Sequence, residues 1–555
     1  MAALALGLVA VPVLVSTRSS EPARAIAQTP TSSAAGSSLV SAVDAERQSA
    51  VLAREDQRLL TLVASVRPAA GPYVQDLDGV DTLVLTAGGP AYGLADLVEL
   101  GAARVERDGV VLLTRHVLVA PGARLTLDAP GTTLRLLSDR SGFVSLVAWK
   151  ADMTLSGAAG QPLTVTSWDP GLGEADPSTV DGRAYVRDVS GGMELRHVAV
   201  SDLGFWAGRT SGVAWTGSSS TEATGAIIES TFRHSHYGAF ASQGEGLTVM
   251  GSDFSGNTVD GLSLHRSTAK TTIDDSSARG NGRHGFSADQ GSESVTFTGV
   301  AAEKNGAYGV FFSGTPLSEG QSASGASLRT YGRVQMSGGV LRQNGKAGIR
   351  VVDGNFVTIS DTRVADNADG IVLAGTASPT RVEDTTISGS RRFGISVNGG
   401  SAQVTGNKLS GSETAIRVRD AAVAVTSNNV REATAHAISV VGAAHGSSVA
   451  DNTIGGRGPS GVDVYRVAPG VTVDQSGNDV EGWTRDRDNW TYWTTFIPNH
   501  PLLVLWVVVL GVPLFLGLRA RSHKPAAGMK PYGDELRRER TPQRVHVGRQ
   551  MAGRS

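Results

Sequence analysis

Cysteine is absent from the 555 residues of this chain. Disulfide frameworks, thiolate metal sites, iron–sulfur clusters and cysteine nucleophiles are therefore all excluded. Aromatic residues are also scarce, at 5% of the sequence, whereas glycine occurs 69 times. Many tight turns combined with few large core side chains favour one elongated repeat array over several ordinary globular domains. Because 40% of the residues are hydrophobic and the net charge is only −2, the composition is not that of a disordered chain.

The body of the chain also lacks an excess of positive charge. Residues 519–555 contain ten Lys or Arg and three Asp or Glu, so this tail carries a net charge of +7. Since the whole chain carries −2, residues 1–518 carry −9. Binding to phosphates needs a basic face, and an acidic body therefore argues against nucleic acid as a partner.

One long hydrophobic run is present, at residues 501–518. Its eighteen residues carry no charge, and a helix of that length just crosses a hydrocarbon core of about 30 Å. The preceding segment, residues 481–500, is rich in aromatic residues, as in an interfacial belt, and the basic tail begins at Arg519. By the positive-inside rule the sequence predicts a single-pass protein of the cell membrane, with an extracytoplasmic body and a cytoplasmic tail at residues 519–555.

The N-terminal region is expected to export the body. Residues 1–27 begin with an apolar stretch and offer a small-residue cleavage site at Ala23-Arg24-Ala25, as in a signal peptide or an N-terminal anchor. Residues 28–68 combine an Ala/Ser/Thr-rich linker with leucines at helical spacing that end at Pro68. The sequence therefore predicts a helical segment, followed by a lead-in region at residues 69–108.

A short phrase recurs through the middle of the chain, in which a small residue and an apolar residue follow a polar turn. The small residues are Gly238, Gly261, Gly285, Gly309, Gly348, Gly370, Gly394, Ala415, Ala437 and Gly461. Apart from one insertion between Gly314 and Gly332, they recur every 21–24 residues. Short alternating strands with Gly and Asn turns at this period predict an all-β fold, a right-handed parallel β-helix over residues 109–480.

Asparagines mark the predicted turns. One set stands four residues before the small residue of its repeat: Asn257, Asn281, Asn305 and Asn344. A second set marks a different corner of the later coils: Asn407, Asn429 and Asn452. Asn tolerates turn geometry and can bond to the equivalent Asn of the next coil. The sequence therefore predicts asparagine ladders at two corners.

Coils of a β-helix stack about 4.8 Å apart, so residues at the same number of positions after the small residue form a row along the solenoid. Strand alternation decides whether that row faces the core or the outside. The first and third positions after the small residue are apolar, as in Leu262 and Leu264, and are predicted to face the core. The second and fourth positions must then face outward. Ser263, His265 and, one coil later, Asp289 are therefore predicted to share one outer face.

Residues 166–313 resemble the extracytoplasmic mannuronan C5-epimerases of alginate synthesis. The resemblance is carried by SDLGFWAGRTSGV, GAIIESTFRHSHYGAF and VDGLSLHRST. It implies export and a right-handed parallel β-helix. The catalytic DPHD motif of that family falls on Ser263-Leu264-His265-Arg266, which keeps only the histidine, and an arginine that the family uses one coil later falls on Gln290.

The chemistry of that family defines what a site must contain. C5 epimerisation and the related β-elimination both remove a proton beside a carboxylate, so a base must be paired with a cation that neutralises the carboxylate. The resemblance implies that His265 is the base. Asp289 is predicted to orient and stabilise its imidazole, and Arg266 to bind the sugar carboxylate. These three are the predicted catalytic residues.

Other side chains are predicted to contact the substrate. A proton donor on the opposite sugar face is needed for epimerisation, and His236, Tyr237 and His284 are candidates for it. The full substrate-binding set is His236, Tyr237, His284, Gln290, Arg350, Arg417 and Arg419, of which the last three form an outward basic patch suited to an anionic polysaccharide. No cofactor and no metal site are expected, because the sequence has no calcium nonapeptide repeat, P-loop or serine-nucleophile elbow.

Two functions stay open at this point. The first is a membrane-anchored extracytoplasmic enzyme that modifies an exported uronate-containing polysaccharide, as a C5-epimerase, which is an isomerase, or as a related lyase. The second is a catalytically inactive relative that binds or guides a nascent exopolysaccharide alongside its synthesis machinery. Retention of His265 favours the enzyme, whereas the loss of both acidic positions of the motif favours the binding protein.

Overall fold

The computed structural model describes residues 41–67, 71–315, 330–376 and 380–486. Most strands in these ranges pair in parallel with the equivalent strand of the next coil. The backbone therefore winds into a parallel β-helix with three faces, here called A, B and C. The all-β fold with a short helix ahead of it was predicted correctly from the repeat period.

Face A carries the strands that follow the recurring small residues. Its strands are Val80–Leu85, His116–Val119, Ser145–Trp149, Tyr185–Val189, Val213–Thr216, Ala239–Ser242, Leu262–His265, His284–Ala288, Tyr308–Ser313, Ala347–Val352, Asp369–Thr376, Phe393–Thr405, Thr414–Arg419, His436–Gly442 and Ser460–Val467. The strand Tyr73–Leu77 pairs antiparallel with the first of them. The strand Phe393–Thr405 continues around the corner onto face B.

Face B follows face A in each coil. Its remaining strands are Arg124–Asp128, Asp152–Ser156, Gly192–Arg196, Thr224–Ile228, Thr248–Met250, Ala269–Asp274, Glu293–Thr298, Gln335–Ser337, Thr358–Ser360, Arg381–Glu383, Ala422–Thr426 and Ser448–Ala450. Most strands here have only three to six residues, which keeps each coil short.

Face C closes the coil and returns the chain to face A. Its strands are Ala103–Arg107, Val110–Leu113, Thr133–Asp139, Gly142–Phe143, Leu163–Trp168, Val198–Ser201, Thr231–Arg233, Asp253–Ser255, Ser277–Arg279, Ala301–Glu303, Val340–Arg342, Arg363–Ala365, Thr386–Ser388, Lys408–Ser410, Asn429–Ala433, Thr453–Gly458 and Trp483–Arg485. Two hairpin pairings, Ala103–Arg107 with Val110–Leu113 and Thr133–Asp139 with Gly142–Phe143, are antiparallel.

The core lies inside the coils and is filled by the positions predicted for it. Leu262, Leu264, Phe286 and Phe312 are all buried members of one apolar cluster that runs through the solenoid. Ser263 and His265 point away from that cluster, as the two-residue alternation requires. The inward and outward register read from the repeat is thus confirmed on face A.

Asparagine ladders stabilise two corners. The amide Nδ2 of Asn257 donates to Oδ1 of Asn281 at 2.9 Å, and the same bond continues through Asn305 and Asn344 to Asn367. These amides are buried, so each bond satisfies polar groups that cannot reach water. The first predicted ladder is confirmed and is one coil longer than predicted.

The second ladder corrects one prediction. It runs Asn407, Asn428, Asn452 and Asn478, with successive Nδ2 to Oδ1 distances of 3.0, 3.0 and 2.9 Å. Asn429 does not belong to it, because Asn429 already begins the strand Asn429–Ala433 and pairs with Lys408. Two adjacent asparagines compete for the corner, and the strand register assigns it to the first.

Helix α1, Ala42–Ala64, packs on the outer side of the first coils of face A. Ser41 caps its N-terminus by accepting a hydrogen bond from the Asp44 amide. Leu59 and Leu62 pack there against Leu118 and other outward side chains. Helix α2, Leu94–Glu99, and a 3-10 turn, Gly208–Thr210, complete the described helices.

No helix in the described ranges combines the length and apolar character needed to cross a bilayer. The predicted signal or anchor segment at residues 1–27, the membrane helix at residues 501–518 and the basic tail at residues 519–555 lie outside the described residues, as do residues 487–500.

Candidate active site

On the outer side of face A, the second position of each coil forms a row that crosses the strands. We call this row the floor of a trough, and the side chains at the two ends of the same strands its walls. Ser263 and Ser287 belong to the floor and face away from the core, yet they are only 3% and 1% exposed. The side chains at the second position after the small residue therefore face outward, as predicted. Most of them are nevertheless not exposed to solvent.

His265 and Asp289 form one wall of the trough. The His265 Nδ1 and Asp289 Oδ1 atoms lie 2.6 Å apart, and the two side chains are 32% and 24% exposed. They belong to successive coils, held in register by the Asp289 amide, which donates to the Leu264 carbonyl at 3.0 Å. The structure brings these two predicted residues together as expected from the repeat.

The hydrogen bond also assigns the tautomer of His265. An ionised carboxylate only accepts, so Nδ1 of a neutral ring bonded to Asp289 carries the hydrogen. The lone pair is then on Nε2, the nitrogen turned away from Asp289. A partly exposed imidazole with a free Nε2 and a carboxylate behind it is equipped to take a proton from a substrate.

An ion pair that the sequence reading missed lies on the other wall. Arg283 donates through Nε and Nη2 to the two carboxylate oxygens of Asp260, at 2.9 and 2.6 Å. Asp260 has no exposed surface and also accepts from the His284 amide at 3.0 Å and the Ser287 hydroxyl at 2.8 Å. Burial opposes its ionisation, but the charge of Arg283 and these donors outweigh burial, so the pKa of Asp260 is lowered.

Arg283 is thereby presented to the trough as a fixed cation. Its side chain remains 34% exposed, and the bidentate pair leaves its Nη1 group uninvolved. Burial alone would lower its pKa, but the charge of Asp260 raises it instead. The charge of Asp289 on the opposite wall also acts to raise the pKa of Arg283.

Tyr237 stands on the same wall as Arg283. Its ring packs against Phe240 at 5.7 Å between centroids, and Phe240 in turn packs against His265 at 5.7 Å, so Phe240 separates Tyr237 from His265. Burial, reinforced by the charge of Asp260, raises the pKa of Tyr237 to about 12. Its hydroxyl therefore keeps its proton at neutral pH and can donate it.

The two other predicted proton donors are neutral rings. The His236 ring meets the Tyr237 ring edge-on at 5.2 Å, and burial lowers the pKa of His236 to about 4. The His284 ring lies nearly parallel to Tyr308 and Phe311, with centroids 5.1 and 4.9 Å away. Burial likewise lowers the pKa of His284 to about 4, so neither ring is in its acidic imidazolium form at neutral pH.

Arg266 and Gln290 occupy the turns directly after the His265 and Asp289 positions. Both have left-handed backbone, with φ of 40° and 51°. The Gln290 carbonyl accepts from the Ser267 amide at 3.0 Å, which joins the two turns. Both side chains are partly exposed beside the histidine wall rather than on the floor of the trough.

The predicted basic patch is divided in two. Arg350 lies on the trough floor, three coils before Arg417, with Val372 and Ser396 between them. Arg417 stacks over the Phe393 ring at 4.9 Å, and its pKa is lowered by burial and by the neighbouring charge of Arg419. Arg419 is 58% exposed and lies 3.4 Å from Asp420.

No group of three or more His, Asp or Glu side chains in the described part of the chain is arranged to hold a metal ion.

The fold defined by these coils is that of a right-handed parallel β-helix protein. The family model for the right handed beta helix region matches residues 190–319 and 317–454. No curated protein matches the sequence.

Solved structures with a similar fold include epimerases of alginate. Two variants of the periplasmic alginate epimerase AlgG, both 15% identical, cover 70% and 72% of this chain and 85% of their own, with TM-scores of 0.51 and 0.50. The A-module of the mannuronan C-5 epimerase AlgE6 from Azotobacter vinelandii is 16% identical and covers 64% of this chain and 90% of its own, with a TM-score of 0.44. The resemblance to alginate epimerases is thus supported, and at these identities it is a likeness of fold.

Proposed function

We propose that this protein abstracts the C5 proton of a uronate unit in a polysaccharide, as a C5-epimerase or as a related lyase. The observation that carries the proposal is the His265–Asp289 pair, an imidazole and a carboxylate held 2.6 Å apart with both side chains partly exposed. The resemblance to mannuronan C5-epimerases supports it, because His265 occupies the histidine position of their catalytic motif.

The first step requires a base and a cation. His265 Nε2 takes the C5 proton, the C5–H bond breaks, and its electron pair moves into the carboxylate of the sugar. Asp289 stabilises the imidazolium that forms. Arg283, fixed by Asp260 on the facing wall, is the cation we propose to neutralise the sugar carboxylate. Arg266 is the alternative cation from the same wall as the base.

The second step differs between the two reactions. In epimerisation a proton returns to C5 on the opposite sugar face, and we propose that Tyr237, on the wall facing His265, supplies it. In elimination the electron pair forms the C4–C5 double bond, the C4–O bond breaks, and the departing oxygen takes the proton. Both routes use a protonated phenol, consistent with the raised pKa of Tyr237.

The place of action is part of the proposal. We propose that the trough faces the outside of the cell membrane, because the hydrophobic run at residues 501–518 precedes a basic tail. A polymer exported past the membrane would then be the substrate.

Solvent deuterium tests the chemistry directly. Full-length protein incubated with defined uronate polymers in deuterated water is expected to place deuterium at C5, or to release a product with a C4–C5 double bond. His265→Gln should lower the rate by about a hundredfold or more, the share typical of a general base. His197→Gln is the matched control, because His197 also faces a carboxylate, Glu229, at 3.3 Å, but lies outside the trough.

The second candidate function is favoured by a specific observation. The two acidic positions of the family motif are Ser263 and Arg266 here, so a protein that only binds a uronate polymer would keep the trough without the chemistry. Wild-type protein that binds the polymer but exchanges no deuterium would establish that alternative. Exchange that is equally fast in His265→Gln would refute the proposed base.

A further inference from the structure

A cavity of about 280 Å³ opens in the trough beyond Asp289. It is bounded by Tyr308, Lys346, Arg350, Asp369, Val372 and Arg392. Ligand pockets usually measure about 300–1,000 Å³, so this one has room for a single sugar ring rather than an oligosaccharide. None of the cations that line it belongs to the histidine site.

The charges of the cavity do not cancel. Arg392 donates through Nε and Nη2 to both oxygens of Asp369, at 3.1 and 2.5 Å. Asp369 is the one carboxylate that lines the cavity, so the lining has no further anion to pair with its other cations. Lys346 and Arg350 form no ion pair and no hydrogen bond through their charged groups within the described residues. Two partly buried cations that have no anionic partner among the described residues can bind an anion in this cavity.

An aromatic surface adjoins these cations. The Tyr308 ring is nearly parallel to Phe311 and to His284, with interplanar angles of 17° and 12°. Lys346 Nζ lies 5.8 Å from the centroid of Tyr308. The low pKa of His284 keeps its imidazole uncharged at neutral pH, so these rings offer an apolar surface on which the C–H face of a sugar can pack.

We propose that the cavity is a second sugar subsite, which binds one uronate unit of the same chain whose neighbouring part lies at His265. Lys346 and Arg350 bind the carboxylate of that unit, and Tyr308 packs against its ring. This inference rests on the proposed function for the class of ligand, but it concerns binding and needs no turnover.

The position of the subsite sets the length of substrate required. The strand that ends at His265 and the strand that carries Arg350 are three coil steps apart, which is about 14 Å at the usual strand spacing. One sugar cannot span that distance. The protein therefore engages an internal stretch of a polymer, and short oligomers that fill only one of the two places bind weakly.

The test compares binding of a mannuronate hexamer with binding of its carboxyl-reduced, neutral form. It uses full-length protein carrying His265→Gln, so that no turnover disturbs the titration. Adding Lys346→Gln and Arg350→Gln together should raise the Kd for the acidic hexamer about tenfold or more, since two charge-assisted contacts are lost. It should also flatten the salt dependence of binding and leave binding of the neutral hexamer unchanged.

The control pair is Lys408→Gln with Arg363→Gln, which removes the same charge from exposed positions on face C. Tyr308→Ala tests the aromatic part and should weaken both hexamers, whereas Tyr308→Phe should weaken neither. If the Lys346 and Arg350 double variant bound the acidic hexamer like the face C control, the subsite would be disproved. Deuterium exchange is measured separately from binding. Exchange at C5 without charge-dependent binding overturns the subsite but not the proposed chemistry. Charge-dependent binding without exchange overturns the proposed chemistry but not the subsite.

Discussion

Replacing Asp289 by asparagine should invert the tautomer of His265. In the present structure Nδ1 lies 2.6 Å from an Asp289 oxygen, so it carries the hydrogen and leaves Nε2 able to accept a proton. An asparagine amide can donate to Nδ1 instead, which moves the ring hydrogen to Nε2. We therefore expect Asp289→Asn to lower deuterium incorporation at C5 by about a hundred- to ten-thousand-fold, the full contribution of a general base.

The same substitution should leave the fold almost unaffected. Both side chains are partly solvent-accessible, at 32% and 24%, and ion pairs of this kind contribute up to about 1 kcal/mol. Nitrogen chemical shifts of His265 provide a readout that needs no turnover, with the hydrogen on Nδ1 in the wild type and on Nε2 in the variant. Glu229→Gln, which alters the partner of His197 in the same manner, is the control. An unchanged tautomer together with unchanged exchange would refute this reasoning.

Three further predictions concern the solenoid and its surroundings. Gly261→Val should lower the free energy of unfolding by about 1–3 kcal/mol, because a Cβ there would lie 2.6 Å from the Gly285 carbonyl oxygen. Thermal melting measures this loss, and Gly89→Val is the control, because a Cβ at Gly89 would meet nothing within 4 Å. Asp188 points into the core, and burial raises its pKa to about 7. Since the folded state then holds the proton more tightly than the unfolded one, stability should fall as pH rises from about 4 to about 7, and the slope should flatten in Asp188→Asn; an equal slope in both proteins would contradict the assignment. Protease added to intact cells should digest the body and spare an epitope after Arg519, and loss of that epitope alone would reverse the predicted topology.

The path of the backbone was predictable because the repeat of 21–24 residues sets where the strand of each coil begins. Leu262 and Phe286 are inward as predicted, and His265 meets Asp289, since both relations follow from two-residue alternation and one coil step. The sequence predicts Asn429 at the corner that Asn428 occupies, because two neighbouring asparagines satisfy the same turn preference. Only the pairing of Asn429 with Lys408 decides between them.

Contacts among side chains of the flanking rows were not predictable in the same way. Asp260 lies directly before Gly261, and Arg283 lies two residues before Gly285 in the next coil. Alternation within a strand does not reveal a contact between these two positions. A signal for it was present, since Asp369 and Arg392 repeat the spacing before Gly370 and Gly394 and form the same pair. Lys346 was missed for a related reason, because its significance depends on a contact between two other side chains: the carboxylate that lines the same cavity, Asp369, is bonded to Arg392.

The trough is assembled from rows to which each coil contributes one residue. Gaining or losing a whole coil beyond Asp289 would therefore lengthen or shorten the trough by about 4.8 Å and leave the His265–Asp289 contact unaltered. Gaining or losing a single residue between these two side chains would instead turn one of them toward the core. If the proposed function is right, the length of polymer that the protein prefers can evolve by duplication of coils, whereas the His265–Asp289 pair is unaffected because it lies within one coil step.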